Sequence, residues 1–198
     1  MSEASPTRAV VLELKDEQRA MHEGYVFLDE KCLLLAGEIL RELEHYAKLD
    51  LAMLAAHQAA LQALQAAVAR HGLDDLQVYP ALEQSGATMM RETRSIMGVL
   101  LQDARWQSAH AAPPASVVRS PEAEACRHAF AALIAASAPL AAVSSNLERL
   151  SFEYRRSVRR ARALQDVLLP EVDQAVYRIE TRLEELEQED AITMRRRK

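Results

Sequence analysis

A seven-residue repeat of apolar side chains runs without a slip through the first third of this 198-residue chain, and no other feature narrows the possible folds as much. Every seventh residue from Val11 gives Gln18, Tyr25, Cys32, Ile39, Tyr46, Met53, Ala60 and Ala67. The set offset by three gives Leu14, Met21, Leu28, Leu35, Glu42, Leu49, Ala56 and Ala63. These are the a and d positions of a heptad, with Gln18 and Glu42 as polar exceptions. A strict period of about 3.5 residues keeps one seam facing a partner helix only if the helices supercoil left-handedly, so the repeat predicts a coiled coil. Thr7 is the expected N-cap, and His71-Gly72 the expected stop, with Gly at the C′ position. A helix from Arg8 to Arg70 would extend about 95 Å at 1.5 Å per residue.

The seam changes along its length. It is bulky from Val11 to Met53 and then Ala-rich, with 9 Ala among the 18 residues from Ala52 to Ala69. Small seam residues let helices approach closely, so this stretch should be thinner or packed differently.

The last third carries a second run: Leu147, Leu150, Tyr154, Val158, Ala161, Leu164, Leu168, Val172, Val176, Ile179, Leu183 and Leu186. Its mean step is again coiled-coil spacing. Pro139 and Pro170 interrupt it, and a kink is expected at Pro170 because the period continues beyond it. Two long helices at the chain ends can satisfy each other's seams only by pairing antiparallel. The expected fold is therefore all-α: N- and C-terminal helices over 1–72 and 121–198 in one structural unit, with a middle segment over 73–120. The principal seam residues are Leu14, Met21, Leu28, Leu35, Ile39, Leu164, Leu168, Ile179 and Leu183.

Between the helices the period fails and turn formers gather: Asp74-Asp75, Pro80, Ser85-Gly86, Gly98, Pro113-Pro114 and Ser120-Pro121. Residues 95–101, Ser-Ile-Met-Gly-Val-Leu-Leu, read as a short strand with an internal Gly, and Thr88–Arg94 as its hairpin partner. Gly98 is expected to permit a tight backbone path there. Ser120-Pro121-Glu122 supplies an N-cap, a Pro at N1 and an early acid, so the return helix should start at that point.

Composition agrees with long helices. Aromatics are 5% of the chain and Gly 5 residues, too few for a β-sandwich or an α/β enzyme. The net charge of -5 argues against nucleic acid as the main partner. The N-terminus has no apolar core of a signal peptide. The longest apolar stretches are broken by Gln, Arg or Pro, and none is expected to reach the roughly 20 residues of a membrane span. The expectation is a cytosolic protein without direct membrane insertion, with Cys32 and Cys126 as free thiols.

Catalytic patterns are missing. No phosphate-binding loop of the G-x-x-x-x-G-K-[ST] type exists, and no Cys pair has metal spacing. Glu42-Leu43-Glu44-His45 matches the Glu-x-x-His of carboxylate di-metal bundles, but once only, where such a site needs two copies and two more Glu. No cofactor and no catalytic residue is expected. One basic cluster stands out: Arg155, Arg156, Arg159, Arg160 and Arg162, on the helix side opposite Tyr154, Val158 and Ala161. The segment beyond is acidic, from Glu171 through Asp190, so charge changes sign along one helix, as it would against charged partner surfaces at set heights.

Three blocks, in order along the chain, resemble the D subunit of the V-type and A-type rotary ATPases. Thr7-Arg8, Leu12, Leu14-Lys15, Gly24, Leu28 and Lys31 resemble the family's opening T-R…L-x-L-K…G…L-x-x-K run. Ile96-Met97-Gly98-Val99 looks like its I-M-G-V element. Ser157 to Pro170 resembles T-R-R-R-V-N-A-L-E-x-V-L-I-P, with Arg159, Arg160, Ala163, Leu164, Val167, Leu168 and Pro170 agreeing. Ile179 and Leu183-Glu184-Glu185 resemble the I-x-x-x-L-E-E tail. The chain departs at Cys32-Leu33, where the family has R-D, at Arg162, where it has Asn, and at Gln102, where a Pro is expected.

The resemblance implies a non-catalytic central shaft that transmits torque between nucleotide sites and an ion-moving membrane ring. Its implied partners are a small F-type stalk subunit, the hexamer of A and B subunits, and the adaptor above the ring. The implied place is the cytoplasmic side of the membrane, and the transported ion would be H+ or Na+. Candidate partner contacts are Arg155, Arg156, Arg159, Arg160 and Arg162 from the basic cluster, of which Arg159 and Arg160 match the family block, with Gly98 and Val99 from the I-M-G-V element. The residues alone also admit a generic coiled-coil interaction or secretion-export factor and, resting on Glu42 and His45 only, a di-metal helical-bundle enzyme.

Overall fold

The computed structural model describes residues 7–79, 86–107 and 119–196. The predicted turns at Pro80, Ser85 and Pro113-Pro114, and the tail residues Arg197 and Lys198, lie outside them.

Helix α1 spans Arg8–Asp75, with Gly72 alone in non-helical backbone at φ 78°, ψ 167°. A side chain there would be strained, so Gly at the foreseen stop is what lets the chain leave the helix. Thr7 begins α1 as read from sequence: its Oγ1 accepts from the Val10 N–H at 3.4 Å and its carbonyl from Val11 at 3.2 Å. A single 3-10 turn, Leu76–Val78, follows. Strands β1 (Thr88–Ile96) and β2 (Val99–Gln107) form an antiparallel hairpin, and α2 starts at Pro121 and runs to Ala163. Ser120 caps it through Oγ to the Ala123 N–H and through its carbonyl to Glu124. A π-helical turn, Leu164–Leu168, leads into α3 (Leu169–Arg196). Pro139 sits inside α2 without ending it.

The chain divides into two compact units, one of Met1–Leu34 with Tyr154–Lys198, the other Leu35–Glu153. In the first, the start of α1 packs antiparallel on α3. Arg8 pairs with Glu187 at 2.7 Å and Lys15 with Glu180 at 2.6 Å: seven residues forward on one helix, seven back on the other. Gln18, a polar exception in the seam, donates to Asp173 at 2.6 Å. Gly24 faces Leu164. In the second unit, α1 and α2 are also antiparallel, with Arg70 3.3 Å from Glu122 and His71 Nε2 2.7 Å from Ser120 Oγ.

The heptad assignment holds on α1: every a and d residue from Val11 to Ala67 is buried or half-buried. Val11, Leu35, Ala60 and Ala67 are the most enclosed of its apolar residues. On the return side Leu150, Ala161, Val172 and Val176 are buried, and Leu164, Ile179 and Leu183 half-buried. Leu168 departs from the prediction, at 39% exposed. Pro170 has no N–H to donate, and the backbone widens ahead of it: the Leu169 N–H reaches back to the Leu164 carbonyl, five residues away. The extra residue per turn moves the seam from Leu168 to half-buried Leu169, and it resumes at Val172.

The hairpin differs from its prediction in length and in the place of the turn. Met97 and Gly98 form a two-residue loop at φ 49° and 84°, and the strands pair without a bulge from Ile96↔Val99 to Thr88↔Gln107. Two successive positive φ values give the loop a twist that matches the strands it joins. The apolar run 95–101 reads as one strand because the pattern carries no trace of that reversal except Gly98 itself.

The membrane reading also needs correction. Each long helix holds a window of 18 residues apolar enough, by length and composition, to cross a membrane. Residues 51–69 and 129–147 carry no Asp, Glu, Lys or Arg. Gln, His, Ser and Pro break the apolar run but add no charge. Both stretches lie in the second unit, where Ala60, Ala67, Ala138 and Val143 are buried.

Candidate functional site

The hairpin and its ties form the most elaborate polar structure among the described residues. They are built on the second polar exception in the heptads. Glu42 occupies a d position, and Glu38 lies one turn before it. Both are buried, at 2% and 4% exposure for Glu38 and Glu42, and a buried carboxylate needs a compensating partner. The partner comes from β1: Arg94 donates through Nη1 to Glu38 Oε1 at 2.6 Å and through Nη2 to Glu42 Oε1 at 2.5 Å. Partial burial works against the Arg94 charge. The hydrogen bond to Glu38 and the negative charges of Glu38, Glu42 and Asp103 outweigh it and hold the guanidinium above its ordinary pKa. Arg41 Nη1, on an exposed side chain, lies 3.2 Å from Glu38 Oε2, which is itself buried and accepts no hydrogen bond.

Helix α2 holds the other strand. Asn146, fully buried, accepts from the Gln102 N–H at 2.8 Å and donates to the Gln102 carbonyl at 2.9 Å. Its side-chain amide acts as a one-residue strand against the outer edge of β2. Arg149 adds a bond to the Leu100 carbonyl at 3.0 Å. Leu101 and Val99 are buried on the face that carries Arg94, and Ala104 is buried on the opposite face. The hairpin is thus pinned to α1 by charge and to α2 by main-chain mimicry.

A second polar cluster closes the far end of the same unit. His71 Nε2 meets Ser120 Oγ, Ser120 Oγ donates to Glu122 at 3.2 Å, and the Tyr79 ring lies 4.9 Å from the His71 ring. The N–H of Glu122 itself, then Arg70, Ser120 and His71, hold the Glu122 carboxyl below its usual range.

Arg155, Arg156, Arg159, Arg160 and Arg162 are all exposed, while Ser157 and Ala161 between them are buried and Val158 half-buried. They share one outward surface of α2. Gly98 is exposed at the hairpin tip, and Val99 beside it is buried. The arginines belong to the first unit and Gly98 and Val99 to the second.

The acidic segment has a reading that the sequence left open. Asp173, Glu180 and Glu187 recur every seven residues and meet Gln18, Lys15 and Arg8 across the seam. These are flanking positions of the coiled coil, where opposite charges fix register. The di-metal reading fails on geometry: the carboxylate of Glu42 is engaged by Arg94, and His45 is exposed. No group of three metal-ligating side chains occurs among the described residues. The two cysteines are free, with burial raising both thiol pKa values, and Asp29 adding to the effect at Cys32.

The model of the family described as the ATP synthase D subunit matches residues 10–198. The chain belongs to the ATP synthase D subunit family. Its similarity to curated members runs nearly end to end. It is 24% identical over 195 residues to the V-type ATP synthase D subunit of Thermotoga neapolitana, covering 98% of this chain and 96% of the relative. Against the V-type ATP synthase D subunit of Anaeromyxobacter dehalogenans the identity is 29%, with 99% and 96% covered. Against the V-type ATP synthase D subunit 2 of Treponema pallidum it is 24%, with 96% and 92% covered. Family membership makes this a stalk subunit of a rotary ATPase, one component of a larger complex. The three blocks that carried the resemblance fall on α1, on the hairpin tip, and on the end of α2 with its π-turn.

Proposed function

We propose that the chain is the central rotor shaft of a V/A-type rotary ATPase or ATP synthase, and is itself non-catalytic. It transmits torque between ATP hydrolysis or synthesis in a hexamer of A and B subunits and translocation of H+ or Na+ by a membrane ring. A small F-type subunit and a ring adaptor complete its partners, on the cytoplasmic side and without insertion of this chain into lipid. The observation that carries this reading is α1, helical without a break from Arg8 to His71 and paired antiparallel with return helices in both units. A pair of helices locked along a seam resists twisting better than one helix can. The outward arginines supply charge where a shaft must grip its surroundings. Exposed charge adds at most about 1 kcal/mol to folding, yet it steers docking and sets register at an interface.

The test is reconstitution with the A, B and F-type subunits and the membrane sector. The pure chain should bind the F-type subunit and hydrolyse no ATP. Arg159→Glu combined with Arg160→Glu should leave helicity and melting unchanged while assembly, or coupling of hydrolysis to ion transport, falls. Sustained turnover by the pure chain, or a double variant that matches wild type in assembly, hydrolysis and pumping, contradicts the proposal.

A further inference from the structure

The two edges of the hairpin are treated differently. In a two-residue hairpin Ile96 and Val99 exchange main-chain bonds, and the bonded pairs recur at alternate positions, so Arg94↔Leu101 and Glu92↔Asp103 follow. The remaining residues turn their N–H and C=O groups outward. On β2 these are Leu100, Gln102, Ala104 and Trp106, and α2 seals the first two: Asn146 takes both groups of Gln102, and Arg149 takes the Leu100 carbonyl. On β1 they are Met89, Arg91, Thr93 and Ser95. Among the described residues nothing bonds to them. All four are exposed, as is every β1 residue except Ile96.

Natural proteins blunt such edges with proline, bulges, short strands or inward-pointing charge. β1 is 9 residues long, pairs without a bulge and contains no proline. Its inward charge, Arg94, is consumed by Glu38 and Glu42. A regular, open edge beside a sealed one is a template for one more strand.

We infer that the outer edge of β1 is a strand-addition site, taking an extended segment of a different polypeptide that sets an acidic side chain against Arg91 and an apolar one against Met89. Main-chain bonds at residues 89, 91, 93 and 95 supply the affinity, and the side chains of alternate residues the selectivity. Charge decides against a second copy of this chain as the occupant. The register that pairs all of β1 with another β1 antiparallel sets Glu92 directly against Glu92, and like charges so placed are destabilising. Arg91 instead stands on the face of Met89, Thr93 and Ser95, with no acid of β1 on that face. Across β2 the same face carries half-buried Trp106 beside it, while Ala104 there is buried. The surface offered is one cation set among polar and apolar side chains.

The experiment uses the full chain and main-chain amide hydrogen exchange. The probe is a short capped peptide of alternating threonine and valine with one glutamate in register with Arg91, and its twin carries lysine there. The glutamate peptide should slow exchange at Met89, Arg91, Thr93 and Ser95 by roughly threefold to tenfold, the range one main-chain hydrogen bond supports. The even-numbered β1 amides, already bonded to β2, should not change. The lysine peptide should protect less, and Arg91→Glu should invert the preference. Thr93→Pro removes an outward N–H and leaves the β1–β2 ladder intact, so it should abolish protection with hairpin melting retained. No slowing at the four amides, or equal slowing by both peptides, overturns the proposal. Slowing that grows with protein concentration without peptide also overturns it, because a second copy then covers the edge.

Discussion

The two units solve the same problem, holding paired helices in register, by different means. The first repeats one device: a bulky seam flanked by exposed cross-helix pairs at seven-residue intervals, Lys15–Glu180 and Arg8–Glu187. Each pair is weak, and register comes from repetition. The second has a seam thinned to Ala60 and Ala67, and an uncharged stretch on each helix. Repetition cannot fix register there, since alanine presents nearly the same surface at every turn. Single, buried and chemically distinct ties replace it: Arg94 across Glu38 and Glu42, Asn146 on Gln102, Ser120 with His71. A repeated shallow device tolerates loss of any member; a unique deep one does not.

That contrast orders the expected effects of substitution. Leu35→Ala, at a fully buried seam position, should cost about 2–5 kcal/mol of unfolding free energy, read by chemical denaturation. The half-buried Leu14→Ala should cost clearly less, and equal losses would erase the distinction. Arg94→Ala leaves two buried carboxylates without their cation. Such losses reach about 3–5 kcal/mol in full burial. With 41% of the Arg94 side chain exposed, about 2 kcal/mol is expected. Glu38→Leu with Glu42→Leu in the Arg94→Ala background should restore part of that loss, because no buried charge then remains.

Asn146→Ala strands the Gln102 N–H and carbonyl, for about 1–3 kcal/mol, and should speed amide exchange in β2 before α2 loosens. In the first unit Lys15→Ala should change stability by about 0.5 kcal/mol or less, and the difference should vanish at high salt. If Lys15→Ala cost as much as Asn146→Ala, the first unit would not be held by repetition.

Much of this arrangement was legible in the sequence, and the rest was hidden for physical reasons. The heptads predicted the α1 seam residue by residue because a coiled coil reports its partner face through spacing alone. Gln18 and Glu42 stood out as polar exceptions in that spacing, and both prove to carry ties, to Asp173 and Arg94. The partner of Glu42 did not show, since Arg94 is brought to it only by a hairpin whose loop starts three residues further on. Leu168 was misplaced because a π-turn adds one residue without changing the apolar pattern around Leu168-Leu169. Asn146 gave no signal, being a small polar residue in an Ala-rich run. The acids Asp173, Glu180 and Glu187 did carry a readable period of seven, matched by Arg8 and Lys15 on the opposite helix. Of the residues foreseen as partner contacts, the arginines were expected to face outward and are exposed. The open edge of β1 could not be foreseen without the phase of the ladder.

The thiols give the smallest expected effect. At about pH 8 both should alkylate more slowly than free cysteine, because burial holds each in the neutral form. Buried Cys126 should be slower than half-buried Cys32.

The proposed shaft is tested most directly by watching it move. A probe fixed to this chain in the assembled complex, with the nucleotide-holding subunits immobilised, should rotate in one direction while ATP is hydrolysed and stop when hydrolysis is inhibited. Continued hydrolysis around a chain that stays still relative to those subunits would contradict the account.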